Sequence, residues 1–280
     1  MRILVDSGSD LTLQEIEQHN LDFLPMSVAI GDKSYKDQLE IDNQTVYEAI
    51  QQGRRPMTSQ VSIDQLTELF TEIAGKGEQA IYYAFSSALS GTYQSAVMVK
   101  EQVTERFPDF DIEIIDSRSA SRGLGMQILD IVSLRDQGMT KDEIVTQIHE
   151  MHEAIVHLFT VEDLAYLAKG GRLSKSQAVL GSLINIKPLL TVEEGQLVPV
   201  GKYRGRKKVF KEMAAQLKKD GHGAVINISH SNDETGARQL ADLIAQECGG
   251  TIHIHELGPT IASHTGQGTI AMYYFKEGHS

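Results

Sequence analysis

In three places in its first half the chain repeats one pattern: an apolar run, a hydroxyl-rich turn, and a stretch with helical spacing. RILV (2–5) passes through DSGSD (6–10) into LTLQEIEQHN (11–20). AIYYAF (80–85) passes through SSALSGT (86–92) into AVMVKEQV (96–103), and FDIEIID (110–116) passes through SRSAS (117–121) into another helical stretch. Strands that alternate with helices cannot pair as hairpins, so the pattern predicts an α/β fold with a mostly parallel sheet. In such sheets ligands sit outside the carboxyl ends of the strands, where these Ser/Thr turns fall.

Other pieces fit around this frame. LPMSVAI (24–30) and GDKSYKDQ (31–38) read as extended segments joined at Gly31-Asp32, and TVYEAIQQG (45–53) as a short helix ended by Gly53. Ser62 and Gln65 have capping-box spacing ahead of a helix over 64–75. After residue 150 the pattern changes. IVHLFTV (155–161) is a strand, EDLAYLAKGGR (162–172) a short helix closed by two glycines, and 183–208 two extended runs around Glu194-Gly195. Two α/β domains are therefore expected, 1–155 and 156–280.

Bulk properties narrow the function. The 280 residues are 41% hydrophobic and 23% charged, as in a folded globular chain, and the net charge of −12 argues against a dedicated nucleic-acid binder. One cysteine, Cys248, permits no intrachain disulfide. No signal-peptide core or run of about 20 apolar residues appears, so a soluble, cytoplasmic protein is expected. No cofactor is called for. The phosphate-loop motif is absent, SRGLGMQI (121–128) lacks the third glycine of the dinucleotide fingerprint, and HIH (253–255) has no acidic or cysteine companions for a metal.

Three polar knots remain. Ser90-Gly91 opens a predicted helix, where free N–H groups and the helix dipole favour an anion, though serine there is also an ordinary N-cap. MTSQVS (57–62) reads as a turn with a cap, and GPTIASHTGQG (258–268) as a glycine-punctuated loop carrying His264. Ser90 with His264 would allow a serine esterase or thioesterase, although ALSGT lacks the first glycine of the nucleophile elbow. KYRGRKK (202–208) is a basic cluster on an acidic chain. It reads as a solvated face, a docking site for an acidic protein or, less favourably, a nucleic-acid contact.

Taken in order, VDSGSDL, MTSQ, SSALSGTYQSA, YLAKGGRLSK, INIKPLL, YRGRKK and HTGQG resemble the DegV family across nearly the whole chain. The resemblance implies two α/β domains with a ligand tunnel between them, holding one long-chain fatty acid. It further implies a role like that of the fatty-acid-binding subunit of bacterial fatty acid kinase. Such a subunit performs no chemistry of its own. It presents the carboxylate to a separate kinase that makes an acyl phosphate for phospholipid synthesis. By motif position the head group would be held by Thr58, Ser90 and His264, and the helix-terminus argument adds the Gly91 N–H. Phe85, Leu89, Ile186 and Leu189 flank these motifs and are tunnel candidates. Arg172, Arg204 and Arg206 are candidates for docking on the kinase, with transient membrane contact also conceivable. Two departures stand out: Gln267 and Val61 occupy positions where the family commonly has proline. The first is expected to loosen the loop beside His264.

Overall fold

The computed structural model describes residues 1–173 and 186–278. Ser174 and Lys175 of the GGRLSK motif, and residues 183–185 of the extended run, lie outside the described residues.

The first sheet contains β1 (Arg2–Asp6), β2 (Asp22–Leu24), β6 (Ala80–Ala84) and β7 (Ile112–Asp116), ordered β2-β1-β6-β7 and parallel throughout. All five residues of β6 are buried, as expected for a central parallel strand covered on both faces. Around the sheet run α1 (Leu13–Gln18), α3 (Ile63–Lys76), α4 (Thr92–Arg106), α5 (Ser121–Asp136) and α6 (Lys141–Ala154). Full capping boxes start α1 at Thr12/Glu15 and α6 at Thr140/Glu143. At α3 only half of the expected box forms. Ser62 Oγ accepts from the Gln65 N–H at 3.2 Å, while Gln65 Oε1 makes no return bond.

The chain enters a second sheet at residue 155. It comprises β8 (Ile155–Thr160), β9 (Ile186–Glu193), β10 (Gln196–Arg204), β11 (Val225–His230), β12 (Thr251–Glu256) and β13 (Ile270–Phe275), ordered β10-β9-β8-β13-β11-β12. Every pair is antiparallel except β11–β12, which α9 (Glu234–Glu247) connects as a crossover. The helix α8 (Arg206–Asp220) packs with α9 over this sheet through Val209, Phe210, Leu217 and Leu240.

A third, antiparallel sheet joins β3 (Ser27–Ile30), β4 (Lys33–Lys36) and β5 (Met57–Ser59) in the order β4-β3-β5. β5 corrects the sequence reading of MTSQ as a turn. Thr58 pairs with Val28 in a short edge strand, and this fixes its side chain. The 258–268 segment likewise is not a loop at its start. Pro259 sits in the first turn of α10 (Pro259–Thr265), so His264 projects from a helix that Gly266 (φ 75°) ends. The short helices α2 (Asn43–Gln51) and α7 (Leu164–Lys169) flank α10.

One apolar core crosses both halves, joining Leu4, Ile81 and Val99 to Phe159, Leu190 and Tyr273. The Gly-x-Gly of α5 serves this packing rather than a nucleotide. A Cβ on Gly123 would stand 2.2 Å from His157 Nε2, and one on Gly125 would stand 2.7 Å from the Ser9 carbonyl oxygen.

Candidate functional site

A cavity of about 430 Å³ lies where the turns after the parallel strands meet the inner face of β8 and β13. Phe85, Leu89, Phe159, Val192, Leu197 and Ala271 make its apolar wall. Thr58, Gln60, Ser90, Gly91, Arg172 and His264 gather at a polar end, which is open to solvent at Gln60 and Gly91.

The polar end is built from four separate elements. β5 presents the Thr58 hydroxyl 2.6 Å from Nε2 of His264 on α10. His264 Nδ1 is buried without a hydrogen-bond partner. Burial, then the nearby Arg172 and Arg55 guanidinium groups, push the imidazole down to about 4, so it is neutral at physiological pH. Gly91 caps α4 with no side-chain bond, leaving the start of a 15-residue helix facing the cavity. The Ser90 hydroxyl accepts from the Thr92 N–H at 3.2 Å and lies 2.9 Å from the Thr92 hydroxyl, so it ties the turn and still lines the cavity. Gln60 packs directly on Gly91, where a Cβ would stand 2.1 Å from Gln60 Oε1. A donor-rich, cation-flanked end of this kind suits a carboxylate, which cannot enter a protein without several charge-assisted partners.

The four head-group candidates, Thr58, Ser90, Gly91 and His264, thus fall at one end of one cavity, and Phe85 and Leu89 line it beside them. Ile186 and Leu189 do not line it. Leu189 is buried in the core beneath α8, and Ile186 starts β9 opposite Arg204. Arg172, a docking candidate, lines the cavity and donates to the carbonyls of Leu89 (3.2 Å) and Gly170 (2.8 Å). Arg204 is exposed on β10, whereas Arg206 is paired with Asp233 at 2.6 Å. Gln267 does not loosen its loop. Its side-chain amide donates to the Tyr47 carbonyl on α2 at 3.1 Å.

Several residues of the site were not anticipated. Arg55 stacks over the Tyr166 ring, 5.4 Å from its centroid, and its charge acts on His264. Deeper in the cavity lie Ser121, His157, Thr260 and Tyr273. Tyr273 OH donates to Ser121 Oγ at 2.8 Å, and Ser121 in turn donates to the buried Asp10 carboxylate. Burial pushes Asp10 up to about 8, and Asp6 and Asp37 up to about 6. The only signal for Asp6 and Asp10 was their place in the DSGSD turn. Among the described residues no cluster of His, Cys, Asp and Glu could hold a metal ion, and no helix is long and apolar enough to cross a membrane. His253 and His255 face each other at 6.4 Å, but His255 is bonded to the Asn227 side chain at 2.7 Å.

Residues 1–277 match the family model described as "Uncharacterised protein, DegV family". The chain belongs to the DegV family. A DegV domain-containing protein of Lactococcus lactis is 36% identical over 278 residues, covering 97% of this chain and 96% of that one. Two solved DegV structures share the fold. One is described as fatty acid binding of a DegV family protein from Thermus thermophilus, with 29% identity, TM-score 0.88, and 99% and 100% of the two chains covered. The other is DegV from Bacillus subtilis, described as a fatty acid binding protein, with 28% identity, TM-score 0.86, and 99% of each chain covered.

Proposed function

We propose that this DegV protein binds one long-chain fatty acid, with its carboxylate at Thr58, Ser90, Gly91 and His264 and its chain along the apolar wall. The observation that carries this reading is the cavity itself: a volume of about 430 Å³ with an apolar wall and with Thr58, Ser90, Gly91 and His264 together at one end. A pocket of that size suits one elongated small molecule. Each buried methylene contributes about 0.8 kcal/mol, so a long chain binds tightly with few polar contacts. The fatty-acid-binding relatives from Thermus thermophilus and Bacillus subtilis support the same ligand class.

The polar end opens to solvent at Gln60 and Gly91, which supports presentation of the carboxylate to a separate fatty acid kinase rather than chemistry by this chain. The exposed Lys202 and Arg204 on β10 are the residues offered for that docking. The esterase alternative gains nothing from the geometry. Ser90 is bonded to Thr92, His264 to Thr58, and His264 Nδ1 meets no carboxylate to orient it.

Mass spectrometry of lipid released from the denatured, freshly purified protein tests the reading. About one fatty acid per chain is expected. A protein that arrives empty and takes up neither hexadecanoic nor octadecenoic acid contradicts it.

A further inference from the structure

Resting on the fatty-acid reading, we infer that the cavity has a second polar station centred on Thr260, and that it takes an acyl chain carrying a hydroxyl near its carboxyl end in preference to a plain chain. Thr260 and His264 both line the cavity from α10. Four residues separate them, so Thr260 lies roughly 6 Å further along the helix axis, on the same face. The carboxylate end is thereby separated from a deeper polar point by a few carbons of chain.

Thr260 is only 3% exposed, and its hydroxyl closes no hydrogen bond. Behind it lies Asp37, fully buried, whose two carboxylate oxygens are likewise unbonded. The Thr260 and Ser7 hydroxyls and the Thr260 and Gln38 N–H groups surround Asp37 and hold its carboxyl below where burial alone would push it, though none closes a well-aligned hydrogen bond. Tyr273 and Ser121 also line this deeper part of the cavity, linked hydroxyl to hydroxyl and anchored on Asp10. Such a wall is mismatched to a plain hydrocarbon. Methylenes packed against Thr260 would seal its unbonded hydroxyl away from water, which carries a desolvation penalty. A hydroxyl on the chain removes the mismatch. It donates to Thr260 Oγ1, filling an acceptor that the cavity otherwise leaves unmet. Tyr273 and Ser121 already spend their protons on each other and on Asp10, so Thr260 is left to receive that hydroxyl, and its position along the chain is selected too.

The test is displacement of a fluorescent fatty acid from the intact protein by hexadecanoic acid and by its 3-hydroxy, 6-hydroxy and 12-hydroxy derivatives. The 3-hydroxy or 6-hydroxy acid is expected to bind about five- to tenfold more tightly than hexadecanoic acid, the gain of one buried hydrogen bond, and the 12-hydroxy acid to show no gain. In Thr260→Val that ratio falls to within about twofold, and in Thr260→Ser, which keeps the hydroxyl, it persists. Hydroxy acids that bind no better than hexadecanoic acid, or a preference that survives Thr260→Val, would overturn the inference while leaving the fatty-acid reading in place. Failure of hexadecanoic acid itself to bind would overturn both.

Discussion

The parallel sheet meets the cavity with the turns that follow its strands, whereas the antiparallel sheet meets it with the side chains of the strands themselves. Ser90, Gly91 and Ser121 come from turns and helix starts at the carboxyl ends of β6 and β7. His157, Phe159, Ala271 and Tyr273 come from alternate positions of β8 and β13, registered opposite one another. Turns offer backbone N–H groups and hydroxyls and can grip a charged head. Strand faces offer a fixed two-residue period and can line a length of chain. The division predicts that damage to the first region acts on the head group, and damage to the second on the wall and on stability.

The largest effect is expected from stripping the head-group end. Thr58→Val with Ser90→Ala removes two hydroxyls from a carboxylate, each bond being worth about 1.5–3 kcal/mol. Fatty-acid affinity should drop by about a hundredfold or more in a displacement assay, while the thermal midpoint falls only by the few degrees that the lost Ser90–Thr92 and Thr58–His264 bonds account for. Phe159→Ala should do the opposite. It removes a ring that is 7% exposed from the shared core, at a cost of about 3 kcal/mol in denaturant unfolding, with a smaller effect on head-group binding.

Asp10 links the two regions, since it bonds Ser121 at the start of α5 and the Gly258 N–H before α10. Its folded value near 8, against an ordinary 3.8, means that the folded chain holds a proton which the unfolded chain releases. Stability from this group is full below pH about 4 and is lost as pH rises through 8. Asp6 and Asp37, near 6, act in the same sense. His157, His255 and His264, near 4, act in the opposite sense below pH 6.5. Between pH 6.5 and 8 Asp10 therefore dominates. Asp10→Asn should flatten the decline there by up to about 2 kcal/mol, read from urea midpoints at each pH.

Gly8 sharpens the comparison from the turn side. A Cβ there would stand 2.4 Å from the Phe85 ring, which lines the cavity. Gly8→Ala should push the ring inward and weaken long chains by about tenfold relative to shorter ones, measured across a chain-length series. The smallest effect belongs to Arg118→Ala. It breaks an exposed ion pair to Glu194 at the tip of the β9–β10 hairpin and should change stability by about 0.5 kcal/mol or less.

The parts of this molecule legible in its sequence are those set by local pattern. The strand–turn–helix units of the first half, the helix closed by Gly170 and Gly171, and the change of pattern near residue 155 follow from periodicity and turn chemistry. Thr58, Ser90 and His264 were placed by motif order, yet the strand under Thr58 and the helix under His264 were missed. β5 is three residues long and exists through pairing with β3, and the helix signal around Pro259 was masked by the flanking glycines. Ile186 and Leu189 were chosen for their nearness in sequence to a motif, but side chains alternate across a strand, so nearness does not say which face is buried where. Arg172 is assigned by its position in a motif. Its place in the cavity depends on the carbonyls of Leu89 and Gly170, which no spacing reveals. The deep polar groups depend on contacts between residues more than a hundred positions apart, such as Ser121 with Asp10 and Tyr273.

The central claim is that the head group sits between β5, the start of α4 and α10. Carbon NMR of the protein loaded with hexadecanoic acid labelled at the carboxyl carbon tests it most directly. One sharp resonance is predicted, held at its ionised position well below the usual carboxylate pKa by the surrounding donors and guanidinium groups, and shifted by Thr58→Val. A resonance that titrates as a free fatty acid does, or that ignores Thr58→Val, would contradict the account.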